Sequence, residues 1–227
     1  MIGERTALVF DLDGTLVDSA PDLHRCLNAV LAEQGRKPVS LADIRAMVGD
    51  GAAKLVERGF ADTGDPVDPV ALPVLVERFL VHYAAGRHAM TTPFPGVGET
   101  LAALRARGCR LGVCTNKPYR PTVEILEILG LAGYFSGVTG GDSLPIRKPD
   151  PAHLLGTLDL MGGTPDQALM IGDSANDVAV ARAAGVPVVI VTYGYTRVPA
   201  RELKADALID RFDELLAVPL TGAPAPA

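Results

Sequence analysis

The 227-residue chain is poor in the residues that build disulfide scaffolds and zinc clusters. Cys26, Cys109 and Cys114 are odd in number and show no CxxC spacing, which excludes a disulfide framework and a cysteine zinc site. All three read as structural, since a free cysteine behaves as a small core hydrophobe. The four histidines, His24, His82, His88 and His153, form no close pair at metal-ligand spacing. They read as packing or surface residues, with His24 near enough to Asp11 in sequence to line the same cleft. No apolar run approaches the ~20 residues that a membrane span needs. The start, Met1-Ile2-Gly3-Glu4-Arg5-Thr6, shows no basic region followed by an apolar segment, so no secretory signal is expected and a cytoplasmic location is the default. With 21 basic against 27 acidic residues, a net charge of −6 and no Lys/Arg cluster, a nucleic-acid partner is not expected. The 48% hydrophobic content is ample for a packed interior.

What is present begins with Val9-Phe10-Asp11-Leu12-Asp13-Gly14-Thr15, a short apolar strand delivering two carboxylates spaced i, i+2 into a glycine turn. In an extended chain that spacing puts both on one side. Adjacent buried acids repel and lose hydration, so they call for a cation or a proton. Asp11 and Asp13 are therefore candidates for a metal and nucleophile site. The plainer reading, that they are turn or cap residues of a βα loop, stays open on this segment alone.

Three further segments repeat the design. Leu169-Met170-Ile171-Gly172-Asp173-Ser174-Ala175-Asn176-Asp177 is again an apolar strand, a glycine and two acids around a helix start. Val113-Cys114-Thr115-Asn116-Lys117 ends a strand in hydrogen-bonding side chains, and Lys148-Pro149-Asp150-Pro151 opens another helix. Magnesium takes hard oxygen ligands of the kind the two acid clusters offer. A hydroxyl and an ammonium suit the non-bridging oxygens of a phosphoryl group. Taken singly, Thr115 could satisfy a loop amide and Lys148 could be a solvated lysine.

Strand patterns fall at residues 6–10, 110–115, 137–139, 168–171, 186–191 and 207–209, and helical patterns at 97–107, 121–129, 151–161 and 177–185. This alternation indicates an α/β fold, a doubly wound, Rossmann-like parallel sheet with its ligand at the carboxyl ends of the strands. From Val17 to about Met90 no strand signal appears, and helical stretches fill about 21–34, 41–59 and 70–85. An insertion of that size is too large for a loop. It reads as an inserted all-α helical cap over residues 17–90, with the core formed by 1–16 and 91–218 and a mobile proline-rich tail at 219–227.

With these segments in view, the sequence resembles the haloacid dehalogenase superfamily of phosphatases, whose Asp-x-Asp-Gly-Thr, Thr/Ser, Lys and Gly-Asp-x-x-x-Asp motifs match Asp11 to Thr15, Thr115, Lys148 and Gly172 to Asp177. The similarity runs from about Ala7 to about Leu216. Within that superfamily, Thr115-Asn116-Lys117-Pro118, Gly140-Gly141-Asp142 and Thr192-Tyr193-Gly194-Tyr195 resemble the phosphoglycolate phosphatase branch. The resemblance implies a magnesium-dependent phosphomonoester hydrolase acting through an aspartyl phosphate. Asp11 is then the nucleophile and Asp13 the general acid/base. Asp11, Asp13 (through its backbone carbonyl) and Asp173 hold Mg2+, with Asp177 behind them, while Thr115, Asn116 and Lys148 bind the phosphate.

The implied substrate is a small phosphorylated carboxylic acid or sugar, most simply 2-phosphoglycolate, for a monomer or homodimer without membrane or nucleic-acid partners. A phosphosugar mutase or another small-ester phosphatase shares the same core. A dehalogenase, a phosphonate hydrolase using a cap lysine such as Lys37 or Lys54, and a phospho-aspartate receiver are all disfavoured by an acid at position 13. In the cap, Val48-Gly49-Asp50-Gly51-Ala52-Ala53-Lys54 places two glycines at a helix start followed by a lysine. Gly49, Gly51 and Lys54 are thus the candidate seat for a substrate carboxylate.

Overall fold

The computed structural model describes residues 6–218; the proline-rich tail expected at 219–227 lies outside the described residues, as does most of the opening segment. Six parallel strands form the central sheet: β1 (Ala7–Phe10), β4 (Arg110–Cys114), β5 (Phe135–Thr139), β6 (Ala168–Gly172), β7 (Val188–Val191) and β8 (Ala207–Ile209), in the order β5-β4-β1-β6-β7-β8. In register, β1 sets Ala7 opposite both Arg110 and Ala168, and Phe10 opposite Val113 and Ile171. The first strand is thus central and the order reverses beside it, the doubly wound arrangement in which ligands bind at the switch point.

The central strands β1, β4, β6 and β7 are buried on both faces because their alternate residues feed different layers, whereas the edge strands β5 and β8 each leave one residue exposed. Leu8, Phe10, Leu111, Val113, Leu169, Ile171, Val189 and Val191 pack on one side. Ala7, Val9, Cys114, Ala168, Met170, Val188 and Ile190 pack on the other with Leu154, Leu158 and Val180. Helices α5 (Val97–Ala106), α6 (Tyr119–Ile128), α7 (Pro151–Met161) and α8 (Ala175–Ala183) make the crossovers.

Four helices, α1 (Ala20–Glu33), α2 (Leu41–Met47), α3 (Ala52–Thr63) and α4 (Leu72–Ala85), are inserted after β1. Leu27, Val30, Ile44, Phe60, Leu75 and Phe79 bury their shared face in a cluster continuous with one side of the sheet. Two features differ from the sequence reading. The stretch 41–59 is two helices, because Val48 is extended and Gly49 and Gly51 take φ of 119° and 87°, which a helix cannot continue through. The span without strand signal opens with β2 (Val17–Asp18), which pairs antiparallel with β3 (Thr92–Pro93). Two residues are too few to show a period, yet this ladder ties together the outgoing and returning chain at the base of the insertion.

Candidate active site

The carboxyl ends of β1, β4 and β6 deliver Asp11, Thr115 and Asp173 to one point. After β1 the chain folds sharply back, with Gly14 N–H donating to Val17 C=O at 2.9 Å. Gly14 has φ +83°, and a Cβ there would lie 2.3 Å from Asp173 Oδ2, so the close approach of the two acid-bearing loops needs glycine.

Asp11 Oδ1 accepts from the Leu12 amide (2.7 Å) and lies 3.0 Å from Lys148 Nζ. Burial pushes its carboxyl up to about 6, with Lys148 opposing the rise. Lys148 sits just before α7, its own amide donating to His153 Nδ1 at 3.1 Å and its carbonyl accepting from Asn116 Nδ2 at 3.1 Å. Its ammonium donates to Asp177 Oδ1 at 2.7 Å. Burial works against that charge, but Asp11 and Asp177 hold the lysine above its ordinary range.

Asp173 Oδ2 accepts from the Tyr195 amide (2.5 Å) and Oδ1 from Thr15 Oγ1 (3.4 Å). Asp11, Asp173 and Asp177 are all buried, and one carboxylate oxygen of each lies within 4.8 Å of the others. Burial, then the charges of Asp177 and Asp11, push Asp173 well above the carboxylate range. Three buried acids facing one lysine are a donor set that a hard divalent cation fits and relieves. Within it Asp177 is already fully engaged: Oδ1 takes Lys148, and Oδ2 takes the amides of Asp173 (3.2 Å) and Ser174 (3.0 Å) and Ser174 Oγ (2.7 Å). It holds the loop and the lysine with four donors, whereas Asp11 and Asp173 each take two and keep lone pairs for an ion.

Asp13 turns its carboxylate elsewhere. Ser19 Oγ donates to Oδ1 at 2.6 Å, and Lys117 Nζ lies 3.2 Å from both oxygens. Any part Asp13 plays toward an ion therefore falls to its backbone carbonyl. Lys117 is buried with its ammonium 4.5 Å from the centre of the Tyr83 ring.

These groups border a narrow cleft between sheet and insertion, with Asp11, Asp13, Thr115, Asn116 and Lys117 below and Gly49, Gly51, Ala52, Leu55, Phe79 and Tyr83 above. The turn at residues 48–51 is pinned to the core. Gly49 C=O accepts from Asn116 Nδ2 (3.0 Å) and Asn176 Nδ2 (3.1 Å). Asp50 accepts from Asn176 Nδ2 (2.7 Å), Arg197 (3.0 Å) and Arg58. Asn116 thereby joins the cap turn to the Lys148 loop, its amide hydrogens committed to those two carbonyls.

Lys54 lies outside the cleft. Ala52 and Leu55 are three apart and share the inner face of α3, whereas position 54 falls on the far side, where Lys54 pairs with Glu57 at 2.7 Å and is half exposed. His24 also stays out of the cleft; its Nε2 lies 3.0 Å from Val39 C=O. Cys26 and Cys114 are buried and unpaired, and burial pushes both thiols up to about 11, as befits packing residues. Reasoning on the sequence overlooked Lys117, Tyr83, Ser19, Asn176 and Arg197. The only available signal was the Thr-Asn-Lys run itself, since the partners of Lys117 come from distant segments, Asp13 after β1 and Tyr83 on α4.

Comparison with known proteins places this geometry in context. Residues 6–185 match the family model described as haloacid dehalogenase-like hydrolase. The chain is 51% identical over 213 residues to a phosphoglycolate phosphatase of Rhodospirillum rubrum, covering 92% of this chain and 88% of the relative. It is 45% identical over 225 residues to one of Caulobacter vibrioides, covering 96% and 94%. Among solved structures, a predicted phosphoglycolate phosphatase of Haemophilus somnus superposes with a TM-score of 0.89 at 34% identity, covering 96% of this chain and 99% of that one.

Proposed function

Because the chain belongs to the haloacid dehalogenase-like hydrolase family, we propose that it hydrolyses a small phosphomonoester, 2-phosphoglycolate, with the help of magnesium. The observation that carries this reading is the division of labour between Asp11 and Asp13. Asp11 sits between the acid cluster and Lys148, whereas Asp13 faces the cleft on Ser19 and Lys117. An in-line displacement at phosphorus needs a nucleophile, a counter-charge and a proton donor for the leaving oxygen.

Asp11 attacks phosphorus through a carboxylate oxygen, the P–O ester bond breaks, and Asp13 gives its proton to the departing alkoxide. A water molecule then attacks the aspartyl phosphate while Asp13 takes its proton, releasing phosphate and restoring Asp11. Thr115 and Lys148 bind the phosphoryl oxygens, and Lys148 also fixes the Asp11 carboxylate. Asp11, Asp173 and the Asp13 carbonyl would hold Mg2+, which when bound supplies the positive charge that lets a carboxylate approach a phosphate dianion. The helical insertion at 17–90 serves as the lid, latched by Gly49 and Asp50, and keeps bulk water from the acyl phosphate.

The relatives named phosphoglycolate phosphatase support the choice of substrate. Phosphate release across a panel of small phosphomonoesters in magnesium tests it. The highest kcat/KM is expected for 2-phosphoglycolate. A preferred sugar phosphate, or a phosphate returned to a sugar rather than to water, overturns the assignment.

A further inference from the structure

An acidic substrate must find a counter-charge for its carboxylate as well as for its phosphate, and the phosphoryl groups are already accounted for by Lys148 and Thr115. Among the described residues that border the cleft, Lys117 is the only cation. Its ammonium is held beside Asp13 at 3.2 Å, next to the acid that hands a proton to the ester oxygen. In 2-phosphoglycolate a single methylene separates that oxygen from the carboxylate, so the carboxylate lies beside the same lysine.

A second group points the same way. Tyr83 is 2% exposed and lines the cleft over Lys117; its hydroxyl oxygen faces that ammonium, a donor, and the phenolic hydrogen finds no acceptor. Burial pushes the phenol up to about 12, so it stays a donor at neutral pH. A buried donor without an acceptor is costly unless a ligand completes it. The surroundings, Leu23, Leu55, Phe79 and Leu80, are apolar and strengthen any charge pairing made there. We propose that Lys117 and the Tyr83 hydroxyl together seat the substrate carboxylate and so determine specificity. The inference rests on the phosphoglycolate reading and transfers to Lys117 the part that sequence spacing suggested for Lys54.

The test compares 2-phosphoglycolate with ethyl phosphate, which has the same methylene but a methyl group in place of the carboxylate. Wild-type enzyme, Tyr83→Phe, Lys117→Met and Lys117→Arg are assayed on both. In Tyr83→Phe, which removes one oxygen and keeps the ring packing, the selectivity ratio for 2-phosphoglycolate falls about tenfold, chiefly through KM, the scale of one hydrogen bond to a charged group. In Lys117→Met the ratio falls about a hundredfold, and Lys117→Arg restores part of it. If wild type shows no preference for 2-phosphoglycolate, the substrate reading itself fails. If wild type does prefer it but Tyr83→Phe and Lys117→Met leave the ratio at its wild-type value, the substrate reading stands and this inference falls, Lys117 then serving only to position Asp13.

Discussion

Replacing Asp13 by Asn separates proton transfer from every other contribution to the reaction. The amide keeps the size of the side chain and an oxygen that still accepts from Ser19 Oγ and Lys117, the two groups that fix it now at 2.6 and 3.2 Å. What is lost is the transferable proton and the negative charge opposite Lys117. General acid catalysis contributes about 10²–10⁴-fold, or roughly 3–5 kcal/mol of barrier. Its share scales with the need of the leaving group. The glycolate alkoxide is a poor leaving group and feels the whole deficit, so kcat for 2-phosphoglycolate falls about 10²–10⁴-fold. An activated aryl phosphate departs without help, and its kcat falls less than about tenfold. Steady-state kinetics on 2-phosphoglycolate and para-nitrophenyl phosphate, with circular dichroism to confirm the fold, supply the comparison. Equal losses on the two substrates refute the role given to Asp13 and leave it a structural acid.

Lys148→Met strips the paired ammonium from Asp11 and Asp177, and removing one partner of a buried pair costs about 3–5 kcal/mol, read as a lower urea midpoint in the presence of chelator. An unchanged midpoint contradicts the burial argument. Magnesium at a hundredfold excess over Kd should add about 2.7 kcal/mol of stability, and Asp173→Asn should abolish that gain, both measured by thermal denaturation; a full shift in the variant removes Asp173 from the ion site. His153 is held neutral because burial and then Lys148 lower its pKa to about 4, against about 6.5 unfolded, while Nδ1 accepts from the Lys148 amide. The unfolded chain therefore binds the extra proton first. Stability contributed by His153 is complete above pH 6.5 and declines as pH falls toward 4, so His153→Gln should flatten that decline in chemical denaturation; identical slopes for the two proteins refute it.

The acids of this site were legible because each closes an apolar strand and meets a glycine, a pattern carried by adjacent residues. Thus Asp11, Asp173 and the strand end at Thr115 converge as their spacing implied, and β8 was readable at Ala207–Ile209 from composition alone. What was not legible depends on contacts between distant segments. Lys117 meets Asp13 across 104 residues and Tyr83 from α4, and no local period encodes that meeting. The orientation of Lys54 turned on helix phase: α3 starts at Ala52 as the two glycines suggested, but its inner face carries Ala52 and Leu55 and leaves position 54 outside. The latch at Asp50 needs Asn176 and Arg197, both more than a hundred residues away. The β2–β3 ladder is shorter than any detectable repeat.

The central claim is that Asp11 becomes covalently phosphorylated in each turnover. Enzyme mixed with 2-phosphoglycolate and magnesium, quenched in acid within one turnover and reduced with borohydride, converts an aspartyl phosphate to homoserine, which peptide mass spectrometry locates. Homoserine is expected at position 11 alone, appearing only when substrate is present and absent from Asp11→Asn. Reduction at any other carboxylate, or turnover in which no acyl phosphate forms at Asp11, contradicts it.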